Sequence, residues 1–136
     1  MSDKAKILLV DDEPDLVQLV SMRLEGAGYG VTPAYDGQQA LDRVKESKPD
    51  LIILDLMLPK MDGYKVCRLL KFDERYQKIP VLIFTARAQA EDIKLAMDCG
   101  ADAYLTKPFE APVLLEKLKE LLEAARAAGN IKDKGA

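Results

Sequence analysis

The residues most capable of chemistry in this sequence are carboxylates that close short apolar runs. Asp11 and Asp12 follow the run at 7–10, and Asp55 follows Leu51–Leu54. Another run, Val81–Thr85, ends in a hydroxyl, and the segment around Tyr104 leads through Thr106 to Lys107. Three carboxylates at one sheet edge would repel one another unless a cation neutralised them. Oxygen donors without histidine or ligand-spaced thiolates point to Mg²⁺ or a similar hard ion, which favours one or two carboxylates plus a phosphate oxygen. That combination suits phosphoryl transfer, where positioning and charge neutralisation do most of the catalysis. Asp55, alone at the end of its run, is the candidate nucleophile. Asp11 and Asp12 suit metal binding, while Lys107 and Thr85 can supply an amine and a hydroxyl.

Composition narrows the alternatives. The 136 residues contain no histidine, which excludes a Ser-His-Asp triad, a Cys-His pair and most catalytic zinc sites. Lys plus Arg number 20 against 23 Asp plus Glu, and a net charge of −3 gives no basic field for direct nucleic-acid binding. Cys67 and Cys99 lie in apolar periodic segments without CxxC spacing, so they read as free thiols in a reducing compartment. The apolar run at 7–10 meets Asp11 too soon for a signal or membrane span, and the expectation is a cytoplasmic protein without membrane contact.

These groups must be positioned by short elements in strict alternation. Strands are expected at 6–10, 30–34, 51–54, 81–85 and around Tyr104, and helices near 14–27, 38–47, 62–71, 89–99 and 111–125. Strands that are apolar on both faces imply a parallel sheet covered by helices on both sides, a doubly wound α/β domain. In such a sheet ligands bind beyond the carboxyl ends of the strands, where the strand order reverses. Leu114, Leu118, Leu121 and Leu122 give the last helix one docking stripe. Residues 1–125 form the expected domain, and 126–136 a tail or truncated linker.

Several separated motifs agree with one family. They are Val10-Asp11-Asp12-Glu13, Ala34 to Gly37 with Ala40-Leu41, Pro49 to Asp55, Pro59 with Met61-Asp62-Gly63, Thr85-Ala86, and Gly100 to Phe109. The chain thus resembles the receiver domain of bacterial two-component response regulators, in particular the single-domain, chemotaxis-regulator-like kind. The resemblance implies a flavodoxin-like (βα)5 fold with strand order 2-1-3-4-5. It implies that Asp55 takes a phosphoryl group from a histidine on a sensor kinase or phosphotransfer protein. It further implies that Asp12, Asp55 and the Met57 backbone carbonyl ligate Mg²⁺, with Asp11 acting mainly through a metal-bound water, and that Lys107 contacts the phosphoryl oxygens. Thr85 and Tyr104 would form the switch, and the Lys107-Pro108 bond would be cis.

The output implied is a changed surface on the last two helices and the fifth strand, read by a downstream protein from a monomer or a phosphorylation-dependent homodimer. The chain would be a signalling switch rather than an enzyme acting on outside substrates. Ala103 stands where DNA-binding members commonly carry an acidic interface residue, and Arg87 and Met57 flank the pocket where they would shield the phosphate from water. Each piece alone has a plainer reading: Asp11-Asp12 as a turn before the helix at Pro14, Thr85 as a satisfied strand-end hydroxyl, Tyr104 as a core aromatic. Three rival functions are a flavodoxin-type cofactor binder, an aspartyl-phosphate phosphatase, and a receiver-like scaffold that never carries phosphate. The first is opposed by the acidic, glycine-free loop after strand one; the second by Met57, where such enzymes carry a second aspartate.

Overall fold

The computed structural model describes residues 4–86 and 89–129. Among them five strands alternate with five helices: β1 Lys6–Val10, α1 Pro14–Gly26, β2 Gly30–Ala34, α2 Gly37–Glu46, β3 Leu51–Leu54, α3 Gly63–Lys71, β4 Val81–Thr85, α4 Ala90–Asp98, β5 Ala103–Thr106 and α5 Ala111–Ala127. All strand pairings are parallel, in the order β2-β1-β3-β4-β5. This is the doubly wound, flavodoxin-like sheet expected from the alternation.

Side chains alternate across each strand, so an apolar strand feeds two cores. Leu8, Val10, Ile52, Leu54, Val81 and Ile83 face α2, α3 and α4, where Ala40, Val44, Val66, Leu70 and Ala96 meet them. Ile7, Leu9, Leu51, Ile53, Leu82 and Phe84 face α1 and α5, meeting Val17, Val20, Leu24, Leu114, Leu118 and Leu122. Leu121 is only partly buried beside that second core. Full burial of one such side chain contributes about 1.5–3 kcal/mol, so the two cores fix the sheet on which the site stands.

The edge strands depart from the all-apolar pattern. β2 exposes Thr32 and Pro33, and β5 is half-buried throughout. Pro33, which has no N–H to donate, is tolerated because β2 has a partner on one side only.

Helix ends follow local chemistry. Asp36 and Asp62 lie just outside α2 and α3 as N-caps, accepting from the backbone N–H of Gln39 at 2.8 Å and of Lys65 at 2.9 Å. Pro14 and Pro112 occupy first-turn positions, where a missing N–H costs nothing. α5 continues to Ala127, past the expected end at Ala125, because alanine is a strong helix former. No described helix is long and apolar enough to cross a membrane.

Candidate functional site

β1 and β3 are neighbours in space, yet their connections leave on opposite faces of the sheet. The crevice beyond their carboxyl ends is the switch point of the strand order. The ladder continues just past both strands: Asp11 N–H donates to the Ala34 carbonyl at 3.1 Å, and Asp55 N–H to the Val10 carbonyl at 3.0 Å. Asp11 and Asp55 are therefore held by sheet backbone rather than by loops. Carboxylate oxygens of Asp11, Asp12 and Asp55 all lie within 4.8 Å of one another, with Asp11 and Asp55 buried and Asp12 exposed.

Lys107 reaches this edge from the end of β5. Its ammonium stands 2.6 Å from Asp11 Oδ2 and 3.1 Å from Asp55 Oδ2, with Glu13 Oε1 at 3.9 Å. The two aspartate side chains are 1% and 5% exposed and Lys107 is 15% exposed, so the cluster is largely shielded from water. The Lys107 backbone N–H donates to the Thr85 carbonyl at 2.8 Å, which ties the lysine to the end of β4. The Phe84 ring lies 4.7 Å below the ammonium, and Phe109 packs edge-on against Phe84 at 5.2 Å. The ring face adds a weak attraction and closes one side of the site. The Lys107-Pro108 bond is cis.

Burial and charge pull in opposite directions here. Burial raises the Asp11 carboxyl above its ordinary value, against the lowering effect of the Lys107 hydrogen bond and that of the Glu13 N–H. Burial would lower the Lys107 ammonium, but the Asp11 hydrogen bond and the charges of Asp55 and Asp11 outweigh it and hold it above its ordinary value. One cation facing three carboxylates leaves the edge net negative. The donors are all hard oxygens, and they converge within reach of one ion, so the residues present fit a hard divalent cation such as Mg²⁺.

The remaining expected residues fall around this centre. Met57 donates its backbone N–H to Asp55 Oδ1 at 3.1 Å, while its side chain is exposed. Thr85 is fully buried at the end of β4. Tyr104 is packed against the core shared with α3 and α4, and its hydroxyl oxygen is shielded from solvent. Arg87 lies outside the described residues. Cys67 and Cys99 are free and buried in the core shared with α2, α3 and α4, and burial pushes the Cys67 thiol up to about 12.

Two contributors had no role assigned from the sequence. Glu13 adds a third carboxylate facing Lys107. Gly63 lies against the Asp55 backbone: a Cβ there would collide with the Asp55 carbonyl oxygen and lie 2.6 Å from Leu56 Cα. Its N–H donates to the Leu56 carbonyl at 2.9 Å, so α3 begins directly beside the end of β3. The glycine in Met61-Asp62-Gly63 was the available signal, but its reason is a tertiary contact.

The sequence and the fold are similar to those of known proteins. The family model described as "Response regulator receiver domain" matches residues 7–119. The DNA-binding dual master transcriptional regulator RpaA of Synechocystis is 49% identical over 117 residues, covering 86% of this chain and 48% of that protein. The alkaline phosphatase synthesis transcriptional regulatory protein PhoP of Bacillus subtilis is 44% identical over 125 residues, covering 90% and 50%. The chemotaxis response regulator CheY4 of Vibrio cholerae superposes with a TM-score of 0.83 at 34% identity, covering 88% of this chain and 99% of that one. The chain spans about half the length of the curated relatives it matches. It belongs to the response regulator receiver domain family, whose members act in two-component phosphorelays.

Proposed function

We propose that Asp55 is the phosphoacceptor of this receiver domain and that Asp11, Asp12 and the Met57 carbonyl complete a Mg²⁺ site beside it. The supporting observation is the meeting of three carboxylates from two strand ends within 4.8 Å, with the Lys107 ammonium bridging Asp11 and Asp55. In this reading an Asp55 carboxylate oxygen attacks the phosphorus of a phosphohistidine on a partner protein. The O–P bond forms as the N–P bond breaks, and the imidazole leaves with the bonding pair. When bound, Mg²⁺ neutralises charge on the phosphoryl oxygens. Lys107 exchanges its ion pair with Asp55 for one with the new phosphoryl group. The Met57 N–H, already aimed at the Asp55 carboxylate, orients the acceptor.

The switch follows from the same arrangement. A phosphoryl group adds strong acceptor oxygens at the end of β3, toward which the buried Thr85 hydroxyl turns, and Tyr104 repacks in response. The readout is the surface of α4, β5 and α5, presented to a downstream protein either by a monomer or by a phosphorylation-dependent dimer. The site serves signalling in the cytoplasm rather than turnover of outside substrates. Residues 1–125 form the receiver unit; α5 runs past that bound to Ala127, and residues 130–136 of the expected tail or linker lie outside the described residues. A groove lined by Leu16, Leu19, Val20, Arg23, Pro108 and Phe109 opens beside Glu13 and Lys107, and it gives the phosphohistidine-bearing partner an apolar approach to Asp55.

The test is incubation with a small phosphoryl donor and Mg²⁺, followed by intact-mass and peptide mass spectrometry. One phosphoryl group is expected on the wild type, located at Asp55, and none on Asp55→Asn. Labelling that persists in the variant would overturn the assignment.

A further inference from the structure

Resting on the metal-site reading above, we infer that Lys60 and Asp36 are positioning residues. Their ion pair latches the loop between β3 and α3 so that Met57 is held at the acidic edge. The loop spans residues 56–62; it leaves the sheet directly after Asp55 and carries Met57. Lys60 has φ 67°, in the left-handed region that a long L side chain rarely adopts. The Met61 N–H donates to the Pro59 carbonyl at 2.7 Å, closing a three-residue turn around Lys60. A turn of this type with positive φ at its centre is rare and strained. Glycine would sit there without steric cost, so the lysine side chain must be what the position uses.

That side chain crosses to α2, where Lys60 Nζ lies 3.4 Å from Asp36 Oδ2. Lys60 is 72% exposed, but Asp36 is only 8% exposed and is not free to move. Its other oxygen, Oδ1, accepts from the Gln39 N–H at 2.8 Å and caps α2. Capping alone explains Oδ1; it does not explain a strained lysine aimed at Oδ2. The next loop residue is gripped by the same helix start, because a Cβ on Gly37 would lie 2.6 Å from the Met61 carbonyl oxygen and 2.8 Å from Met61 Cβ. At the other end the loop is pinned where Met57 N–H meets Asp55 Oδ1. Met57 thus lies between a fixed anchor on β3 and the turn held by α2, and its position follows the angle of that turn.

The experiment is a Mg²⁺ titration of the ¹⁵N-labelled full chain, following the amides of Leu56, Met57 and Leu58, with thermal unfolding measured alongside. Lys60→Met removes the charge and keeps the length. Asp36→Asn removes the charge and keeps a capping oxygen. Each single variant is expected to weaken Mg²⁺ binding by about two- to fivefold, the range one partly exposed ion pair can supply. The double variant should be no weaker than the worse single, since both remove the same interaction. Lys60→Arg should restore binding to within about twofold of the wild type, as a retained charge requires. In metal-free protein the Met57 and Leu58 amides should already shift in both singles, a change that loss of a cap alone would not place there.

Wild-type affinity in both singles, or a double variant whose loss is the sum of the two, would overturn the latch. Lys60 is largely exposed, so Lys60→Met and Lys60→Arg decide the matter even where Asp36→Asn weakens α2. A wild type that shows no Mg²⁺ response would overturn the metal site itself and the latch with it. A wild type that binds while the variants match it removes the latch alone.

Discussion

Replacing Lys107 with methionine should destabilise the metal-free protein by about 3–4 kcal/mol at pH 7, and most of that loss should return with Mg²⁺. The ammonium lies 2.6 Å from Asp11 and 3.1 Å from Asp55. At an effective dielectric of about 20, each pair is a gross attraction on the order of 5–6 kcal/mol, offset largely by the cost of burying the three charges. Removing one partner of a buried pair typically costs about 3–5 kcal/mol, because the abandoned charge stays desolvated. The structure sets a ceiling on this cost. Asp11, already raised from 3.8 by burial, can take up a proton. At pH 7 that escape costs at most about 4 kcal/mol, at about 1.4 kcal/mol per pH unit.

The sign of the pH dependence follows. A native state that holds a proton on Asp11 binds more protons than the unfolded chain between pH 3.8 and the raised folded value. The variant's stability therefore falls as pH rises through that window, and lowering the pH from 7 to 6 should recover part of the loss relative to wild type. Urea unfolding followed by far-UV circular dichroism, at both pH values and with or without millimolar Mg²⁺, measures all of this. A loss below about 1 kcal/mol, or one that neither acid nor Mg²⁺ reduces, would show that Lys107 does not compensate these carboxylates.

Other outcomes follow from local geometry. Gly63→Ala should cost about 1–3 kcal/mol in thermal or urea unfolding, since its methyl meets backbone at Asp55 and Leu56 rather than a flexible side chain. It should also slow phosphorylation more than an equally destabilising core change such as Ile53→Val; equal rates in the two variants would refute a clamp on the acceptor. Asp73 is held down to about 2, first by its side-chain hydrogen bond from Arg75 and then by the Arg75 N–H. The stability it contributes is present above 3.8 and is lost as pH falls toward 2. Arg75→Gln should raise the Asp73 midpoint in a carboxyl-carbon NMR titration, only partway to 3.8 because the backbone bond remains.

The sheet was legible because its information is local. A four-residue run such as Leu51–Leu54, with no polar face and bounded by Pro49-Asp50 and Asp55, can only be a strand covered on both sides. Asp11, Asp12 and Asp55 were legible for the same reason, since they close such runs, and Lys107 because it follows the half-buried edge strand β5 and the topology sends every strand end to one edge. Helix starts shifted by one residue where the N-cap position, with its extended backbone, stands outside the helix: at Asp62, whose side chain caps α3, and at Gln89, whose side chain does not cap α4. What stayed hidden depends on contacts between distant segments. Nothing in the string relates Lys60 to Asp36, or Gly63 to the Asp55 carbonyl, until α2 and α3 lie side by side.

The same contrast separates what the acidic edge does from how well it does it. Carboxylate identity is set by strand ends, which two cores hold rigidly, so a substitution far from the edge has little leverage on Asp11 or Asp55. The loop is different. Met57 lies between its N–H bond to Asp55 and the strained turn at Lys60, and that turn is held by the Lys60–Asp36 ion pair together with the packing of Met61 on Gly37. Tuning of metal affinity, and through it of the phosphorylation rate, should therefore concentrate in residues 57–61 and the start of α2, where a change of one charge alters geometry without touching either core.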